Sequence, residues 1–127
     1  MTEQIEQVIE FYKAFNQPIG QGIYHNRAVL RNRILDEEVG ELMDAVIDDN
    51  RVEALDAIVD CMYILIGTAI ELGIDHMLPA AFAEVHRSNM TKLDANGKPV
   101  YREDGKISKS ELYEKPDLKT IYNNLKR

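Results

Sequence analysis

Two neighbouring helical patterns in the middle of the chain place the strongest constraint on its fold. Apolar residues recur at helical spacing over residues 27–49 and again over residues 51–72, and a turn at Asp49–Asn50 joins the two patterns. Two helices joined by so short a turn run antiparallel, with one side of each facing the other. The apolar stripe of the first helix consists of Leu35, Val39, Leu42 and Val46.

Further helices are predicted on both sides of this pair. Residues 2–15 form a one-sided helical pattern, and residues 16–26 contain Pro and Gly and indicate a loop. Gly73 suits the position just after the helix that ends at residue 72. Asp75 can cap a fourth helix that runs to about Asn89, with a proline tolerated in its first turn.

The remaining residues change character and predict an irregular arm. We expect one all-α domain over residues 1–127, with a four-helix-bundle-like core of about 1–92 and a C-terminal arm of about 93–127. Asn-Gly and Asp-Gly turn signals frame a short extended piece at Val100–Arg102, and Asp117 can cap a short terminal helix.

Charge is distributed unevenly along the chain. The whole chain has a net charge of −7, but residues 34–86 contain thirteen acidic residues and one basic residue, which gives that segment −12 and the remainder +5. The net negative charge disfavours general nucleic-acid binding, which needs a basic surface. The acidic segment is instead suited to cations, although solvated helix faces would have the same composition.

Several other classes of protein are disfavoured by simple features. The single cysteine, Cys61, excludes an intramolecular disulfide and a Cys-based zinc site. The N-terminal residues lack a targeting pattern, and the longest apolar run, residues 61–70, is too short to cross a bilayer. We therefore expect a soluble, cytoplasmic protein that binds neither membranes nor nucleic acids.

Acidic side chains gather on the facing sides of the two central helices. Their spacings of three and four residues put them on one face of each helix, and the short turn brings four to six carboxylates into one small volume. Oxygen-only acidic ligands favour Mg²⁺, with Mn²⁺ as the second choice. The members are Glu37, Glu38 and Glu41 on the first helix and Glu53, Asp56 and Asp60 on the second.

Asp60 is the most informative of these residues. It lies in a helix that is apolar nearly all round, so we expect it to be largely buried. A buried carboxylate without a partner is costly, and a divalent cation would remove that cost. An N–H or hydroxyl partner, or an arginine such as Arg31, would do the same.

Polar side chains suited to phosphate or base oxygens follow at the end of the fourth helix. His86, Asn89 and Lys92 are spaced by three residues and can share a face. A basic helix end that complements the helix dipole is the alternative explanation. The arm then adds the basic residues Lys98, Arg102, Lys106 and Lys109.

Three segments follow one another along the chain, namely LRNRILDEEVGEL, DAIVDCMYILIGTAIELGID and EVHRSNMTK. In this order they resemble the all-α NTP pyrophosphohydrolase superfamily, which includes MazG and phosphoribosyl-ATP pyrophosphohydrolase-like proteins. The resemblance implies a MazG-type fold and Mg²⁺-dependent hydrolysis of a nucleoside triphosphate between its α and β phosphates, with a role in cleaning the nucleotide pool. Phosphoribosyl-ATP is the alternative substrate, and a non-catalytic helical interaction module is the alternative outside the enzymes.

The resemblance also implies roles for individual residues. The family pattern is EExxE followed by ExxD, and its first half matches as it stands. The second half departs from the pattern, because Ala57 takes the Glu position when Asp60 takes the Asp position. Asp56 could substitute for the missing Glu. Alternatively, Glu53 and Asp56 form a literal ExxD, but the gap between it and EExxE is then slightly shorter than in the family.

The implied site is built from residues of the second and third helices and from the end of the fourth, in a homodimer or homotetramer. Glu37 is the candidate for positioning or deprotonating the attacking water. The metal ligands are Glu38, Glu41, Asp56 and Asp60, and the substrate-binding residues are Asn89 and Lys92, with His86 and Arg31 as weaker candidates.

Overall fold

A computed structural model describes residues 1–127, which divide into two compact units, Met1–His76 and Met77–Arg127. The fold class is all-α, as predicted, with one two-stranded hairpin as its only sheet. No single helix is both long and apolar enough to cross a membrane. The only combination that reaches this length and hydropathy is a sharply bent pair, Arg51–Leu72 with Asp75–Met90. The helices are α1 (Thr2–Ala14), α2 (His25–Ile47), α3 (Arg51–Leu72), α4 (Leu78–Met90) and α5 (Leu118–Leu125), and the strands are β1 (Val100–Tyr101) and β2 (Ile107–Ser108).

The turn between α2 and α3 explains why the two helices form a tight hairpin. Asp49 has a φ of +50°, which reverses the chain after α2. The Asn50 side chain then accepts a hydrogen bond of 3.2 Å from the Glu53 N–H and caps α3. At the other end of α3, Gly73 has a φ of +74° and stops the helix where predicted.

The core of the first unit is small. Ile5, Val8 and Tyr12 of α1 are buried at its contact with α3, which confirms that α1 is one-sided. The predicted apolar stripe of α2 is covered only in part, because Val39 and Val46 remain exposed. Three helices cannot surround one another completely, so outward-facing apolar side chains stay accessible to solvent.

The second unit is held together by side-chain hydroxyls. Ser88 of α4 donates to the carbonyl oxygen of Glu114 at 2.7 Å, and Ser110 donates to that of Leu93 at 2.7 Å. Asp117 caps α5 by accepting from Thr120 N–H at 3.1 Å, as predicted.

Asp75 does not cap α4 directly, since it begins a 3₁₀ turn, Asp75–Met77, before the helix starts. In the hairpin, Val100 pairs with Ser108 and Tyr101 with Ile107.

Candidate functional site

Four predicted metal ligands lie opposite one another across the α2–α3 hairpin. Glu38 and Asp60 are each eleven residues from Asp49, while Glu41 and Asp56 are eight and seven residues from it. In an antiparallel helical pair, residues equally far from the turn lie side by side. The charges of Glu41, Asp60 and Asp56 all act on Glu38. The hairpin thus brings together a carboxylate cluster, which consists of Glu38, Glu41, Asp56 and Asp60.

Glu38 is the most perturbed member of the carboxylate cluster. Its Oε2 atom is buried and has no hydrogen-bond partner, and only a protonated Glu38 could donate a hydrogen bond to Glu41. Burial raises the pKa of Glu38, and the Glu41 hydrogen bond and the neighbouring carboxylates raise it further. A buried carboxylate oxygen without a partner is unfavourable. This position is therefore stabilised by binding either a proton or a cation.

The cluster fits a hard divalent cation by the type of its donor atoms. All its donors are carboxylate oxygens, which Mg²⁺ and Mn²⁺ prefer, and a cation would satisfy the partnerless Oε2 atom of Glu38. In the present side-chain conformations, no three Asp, Glu, His or Cys residues are grouped closely enough to hold a metal ion. Rotation of these side chains about their own bonds would be needed to complete a set of ligands.

Asp60 is half-buried, so the prediction that it is largely buried holds only in part. The reason is that α3 is not covered all round, since Ile58, Val59 and Met62 beside it are exposed. Cys61 is also half-buried, and burial together with the charges of Glu38 and Asp60 raises the pKa of its thiol. The cluster therefore lies at the edge of the apolar surface rather than deep inside the unit.

Two further predicted acids lie outside the cluster. Glu37 is exposed, one residue before Glu38 and therefore turned about 100° around α2 from it. No hydrogen bond or ion pair holds the Glu37 carboxylate, so it is free to reorient. Glu53 lines a separate cavity of about 300 Å³ with Glu41, Asp44 and Asp48. Glu41 thus connects this acidic cavity with the carboxylate cluster.

In the second unit, two of the three predicted substrate-binding residues come together. Asn89 and Lys92 line one cavity of about 390 Å³. His86 is exposed and does not line this cavity, although it is on the same helix as Asn89. The predicted spacing therefore groups Asn89 with Lys92 but leaves His86 apart.

Arg31 has a different partner from the ones predicted. Its guanidinium lies 3.5 Å from Glu71 and donates to the Thr68 hydroxyl at 3.2 Å and to the Ile64 carbonyl oxygen. Arg31 therefore pairs with Glu71 rather than with Asp60, and its donors are used inside the first unit. We did not predict this role, because Glu71 looked like an ordinary acid at the end of an apolar helix.

One known protein family matches most of this chain. Residues 8–89 match the phosphoribosyl-ATP pyrophosphohydrolase family over more than half of the chain. The chain belongs to this family. The family is part of the MazG-like all-α NTP pyrophosphohydrolase superfamily, which the three sequence segments had indicated.

A similar viral protein adds little about function. The chain is 27% identical over 124 residues to an uncharacterized protein of Acanthamoeba polyphaga mimivirus. The match covers 91% of this chain but 46% of the viral protein, so the chain spans about half the length of that relative.

The residues that the resemblance relates to the ExxD pattern differ in exposure. Ala57, which takes the Glu position when Asp60 takes the Asp position, is 2% exposed and belongs to the core. Asp56 is exposed and its charge reaches Glu38. With that placement, Ala57 packs in the core and the neighbouring Asp56 is the residue whose carboxylate acts on Glu38.

Proposed function

We propose that this protein is a Mg²⁺-dependent nucleoside triphosphate pyrophosphohydrolase that releases a nucleoside monophosphate and pyrophosphate. The observation that carries the proposal is the partnerless buried Oε2 atom of Glu38 within four facing carboxylates. Membership of a pyrophosphohydrolase family supports the same reaction class. A role in removing unwanted nucleotides from the pool would follow from this activity.

Three groups of residues would bind the metal ion, activate the water and bind the substrate. Glu38, Glu41, Asp56 and Asp60 would hold Mg²⁺. When bound, the ion would offset phosphate charge and lower the pKa of coordinated water. Glu37 would orient the attacking water and accept its proton, as an exposed carboxylate beside the cluster can do. Asn89 and Lys92 would donate to phosphate or base oxygens.

Phosphoribosyl-ATP is the second candidate substrate. The matched family is named after the hydrolysis of this compound, which is a specific reason to include phosphoribosyl-ATP among the candidates. Both candidates contain a nucleotide triphosphate that is cleaved at the same bond, so the carboxylate cluster would perform the same chemistry on either. The two differ only in what the rest of the protein must recognise.

We also propose that the protein forms a homodimer or homotetramer. Val52, Leu55 and Val59 are spaced as one stripe on α3, and the first two are 77% and 63% exposed. Ile47, at the end of α2, is 76% exposed. Apolar surface of this extent on one hairpin is typical of an interface, and a second copy would offer the same surface in return. Light scattering coupled to gel filtration tests this, and Leu55→Lys should lower the measured mass.

A product assay tests the reaction. The purified protein is incubated with millimolar Mg²⁺ and a panel of NTPs, dNTPs and phosphoribosyl-ATP, and the products are separated by chromatography. We expect pyrophosphate and a monophosphate from at least one substrate, and the ranking of rates identifies the preferred one. Orthophosphate and a diphosphate would contradict the proposal. Absence of turnover with both Mg²⁺ and Mn²⁺ would favour a non-catalytic helical module.

A further inference from the structure

The C-terminal arm contains a basic cavity that the carboxylate cluster does not explain. Its volume is about 450 Å³, which falls in the range of small-molecule sites. All of its lining residues belong to the second unit, and four of the six are cationic. We call it the arm cavity, and it is lined by Lys92, Arg102, Lys106, Ile107, Ser108 and Lys109.

The positive charge of the arm cavity is largely uncompensated. Arg102 pairs with Asp104 at 2.8 Å, and both side chains are more than half exposed. Lys92, Lys106 and Lys109 have no carboxylate within ion-pair distance. Lys109 is instead placed over the Tyr113 ring, with its Nζ 4.6 Å from the ring centre. Like charges gathered in one concave site repel one another, and a multiply charged anion would relieve that repulsion.

The walls of the arm cavity are held in place by the fold of the arm. β1 and β2 pair with each other, which fixes the lining residues Ser108 and Ile107 in register with Val100 and Tyr101. Hydrogen bonds from the Ser110 hydroxyl to the carbonyl oxygens of residues 91 and 93, at 3.1 and 2.7 Å, tie the next segment to the end of α4. The basic side chains therefore start from a fixed backbone.

A second, mostly apolar cavity adjoins the arm cavity. It is the cavity of about 390 Å³ that contains Asn89, and Lys92 and Ile107 line both spaces. Its other walls are Met90, Leu93 and Pro99. An apolar space with one side-chain amide suits a flat heterocycle, and the cationic space beside it suits a chain of phosphates.

We propose that the arm cavity binds a polyphosphate group, either as free pyrophosphate or as the phosphates of a nucleotide. This assigns Arg102, Lys106 and Lys109 as binding residues in addition to Lys92. The biological meaning of the site rests on the proposed function, because a pyrophosphohydrolase meets both forms of the ligand. Binding itself is independent of turnover and can be measured separately.

Calorimetric titration of the full chain with inorganic pyrophosphate in EDTA tests the proposal. Without divalent cations the carboxylate cluster repels anions, so binding reports the arm cavity. We expect binding that weakens as NaCl is raised, and a loss of about three- to tenfold in affinity for Lys106→Gln and for Lys109→Gln. Lys106→Arg should retain most of the affinity. Lys98→Gln is the matched control, because Lys98 belongs to the same arm but lines neither cavity, and its affinity should be unchanged.

Absence of pyrophosphate binding by the unaltered protein would overturn the proposal, as would an equal loss for Lys98→Gln and Lys106→Gln. Repeating the titration with AMP and a non-hydrolysable ATP analogue separates the two sources of the phosphates. Tighter binding of the ATP analogue than of pyrophosphate would support the nucleotide, and equal affinity would support free pyrophosphate. A protein that binds pyrophosphate at the arm but hydrolyses no substrate with Mg²⁺ would contradict the proposed function alone. Turnover without arm binding would contradict this inference alone.

Discussion

The Tyr12 hydroxyl donates a hydrogen bond of 2.6 Å to the carboxylate of Glu71, which lies 59 residues further along the chain. Glu71 is fully buried and also accepts two hydrogen bonds from Arg27, at 3.0 and 2.8 Å. Arg31 approaches the same carboxylate. One buried acid therefore joins α1, α2 and α3, on the part of α3 that lies beyond the carboxylate cluster.

Replacing Glu71 with Gln should destabilise the protein. The substitution leaves Arg27 and Arg31 beside a neutral amide and removes charge-assisted hydrogen bonds, each worth about 1.5–3 kcal/mol. We expect the free energy of unfolding to fall by about 2–3 kcal/mol in urea titrations. Glu3→Gln, at an exposed position of α1, serves as the control and should change stability by less than about 0.5 kcal/mol. Equal stability of the two variants would show that the Glu71 ion pairs contribute nothing net.

The contribution of Glu71 should also depend on pH in a defined direction. Burial alone would raise the pKa of Glu71, but hydrogen bonds from Arg27 and Tyr12 and the arginine charges outweigh burial and lower it. The stabilisation is therefore complete above the ordinary carboxyl pKa of about 4.3 and is lost as the pH falls through the lower pKa of the folded state. The difference in unfolding free energy between the unaltered protein and Glu71→Gln should be constant from neutral pH down to the ordinary carboxyl pKa. It should shrink as the pH falls further, towards the pKa of Glu71 in the folded state. A difference that persists unchanged in acid would contradict this assignment.

Local signals along the chain were sufficient to predict much of this fold. The bounds of α3 agree with the prediction because Gly73 adopts a left-handed conformation and ends the helix, while the turn at Asp49–Asn50 precedes it. The cap at Asp117 was also predicted correctly. The approach of Glu38 to Asp60 was predictable from spacing alone, because both residues are equally far from one turn.

Other features depend on contacts that no local pattern reveals. The partners of Glu71 come from two other helices, and spacing along the sequence does not relate residues 59 positions apart. Apolar periodicity identifies the faces that avoid water but not what covers them, so it failed to predict that Val52 and Leu55 are exposed in a single chain. Lone basic residues in the arm likewise gave no sign that Lys106 and Lys109 line one cavity.

Gly67 should be required for the close approach of Tyr12 and Arg31. A Cβ atom at this position would lie 2.6 Å from the Tyr12 hydroxyl oxygen and 2.8 Å from an Arg31 guanidinium nitrogen. We expect Gly67→Ala to destabilise the protein by about 1–3 kcal/mol in thermal or urea unfolding, despite the better helix propensity of Ala. Gly40→Ala is the matched control, because nothing lies within 4 Å of the added atom in α2, and it should stabilise by up to about 1 kcal/mol. If both variants gain stability, the contacts around Gly67 relax without cost.

Substitutions in the carboxylate cluster should separate metal binding from catalysis. Without Mg²⁺, Glu38→Gln and Asp60→Asn should leave stability unchanged or raise it, because each removes one of several mutually repelling charges. Saturating Mg²⁺ should raise the melting temperature of the unaltered protein by about 5 °C, and both variants should lose this shift together with turnover. Glu37→Gln is the informative comparison, because Glu37 lies beside the cluster without belonging to it. It should keep the Mg²⁺-linked shift and lose turnover by about a hundredfold or more. A Glu37 variant that loses the shift would be a metal ligand instead, and a full Mg²⁺ shift in Asp60→Asn would place the ion elsewhere.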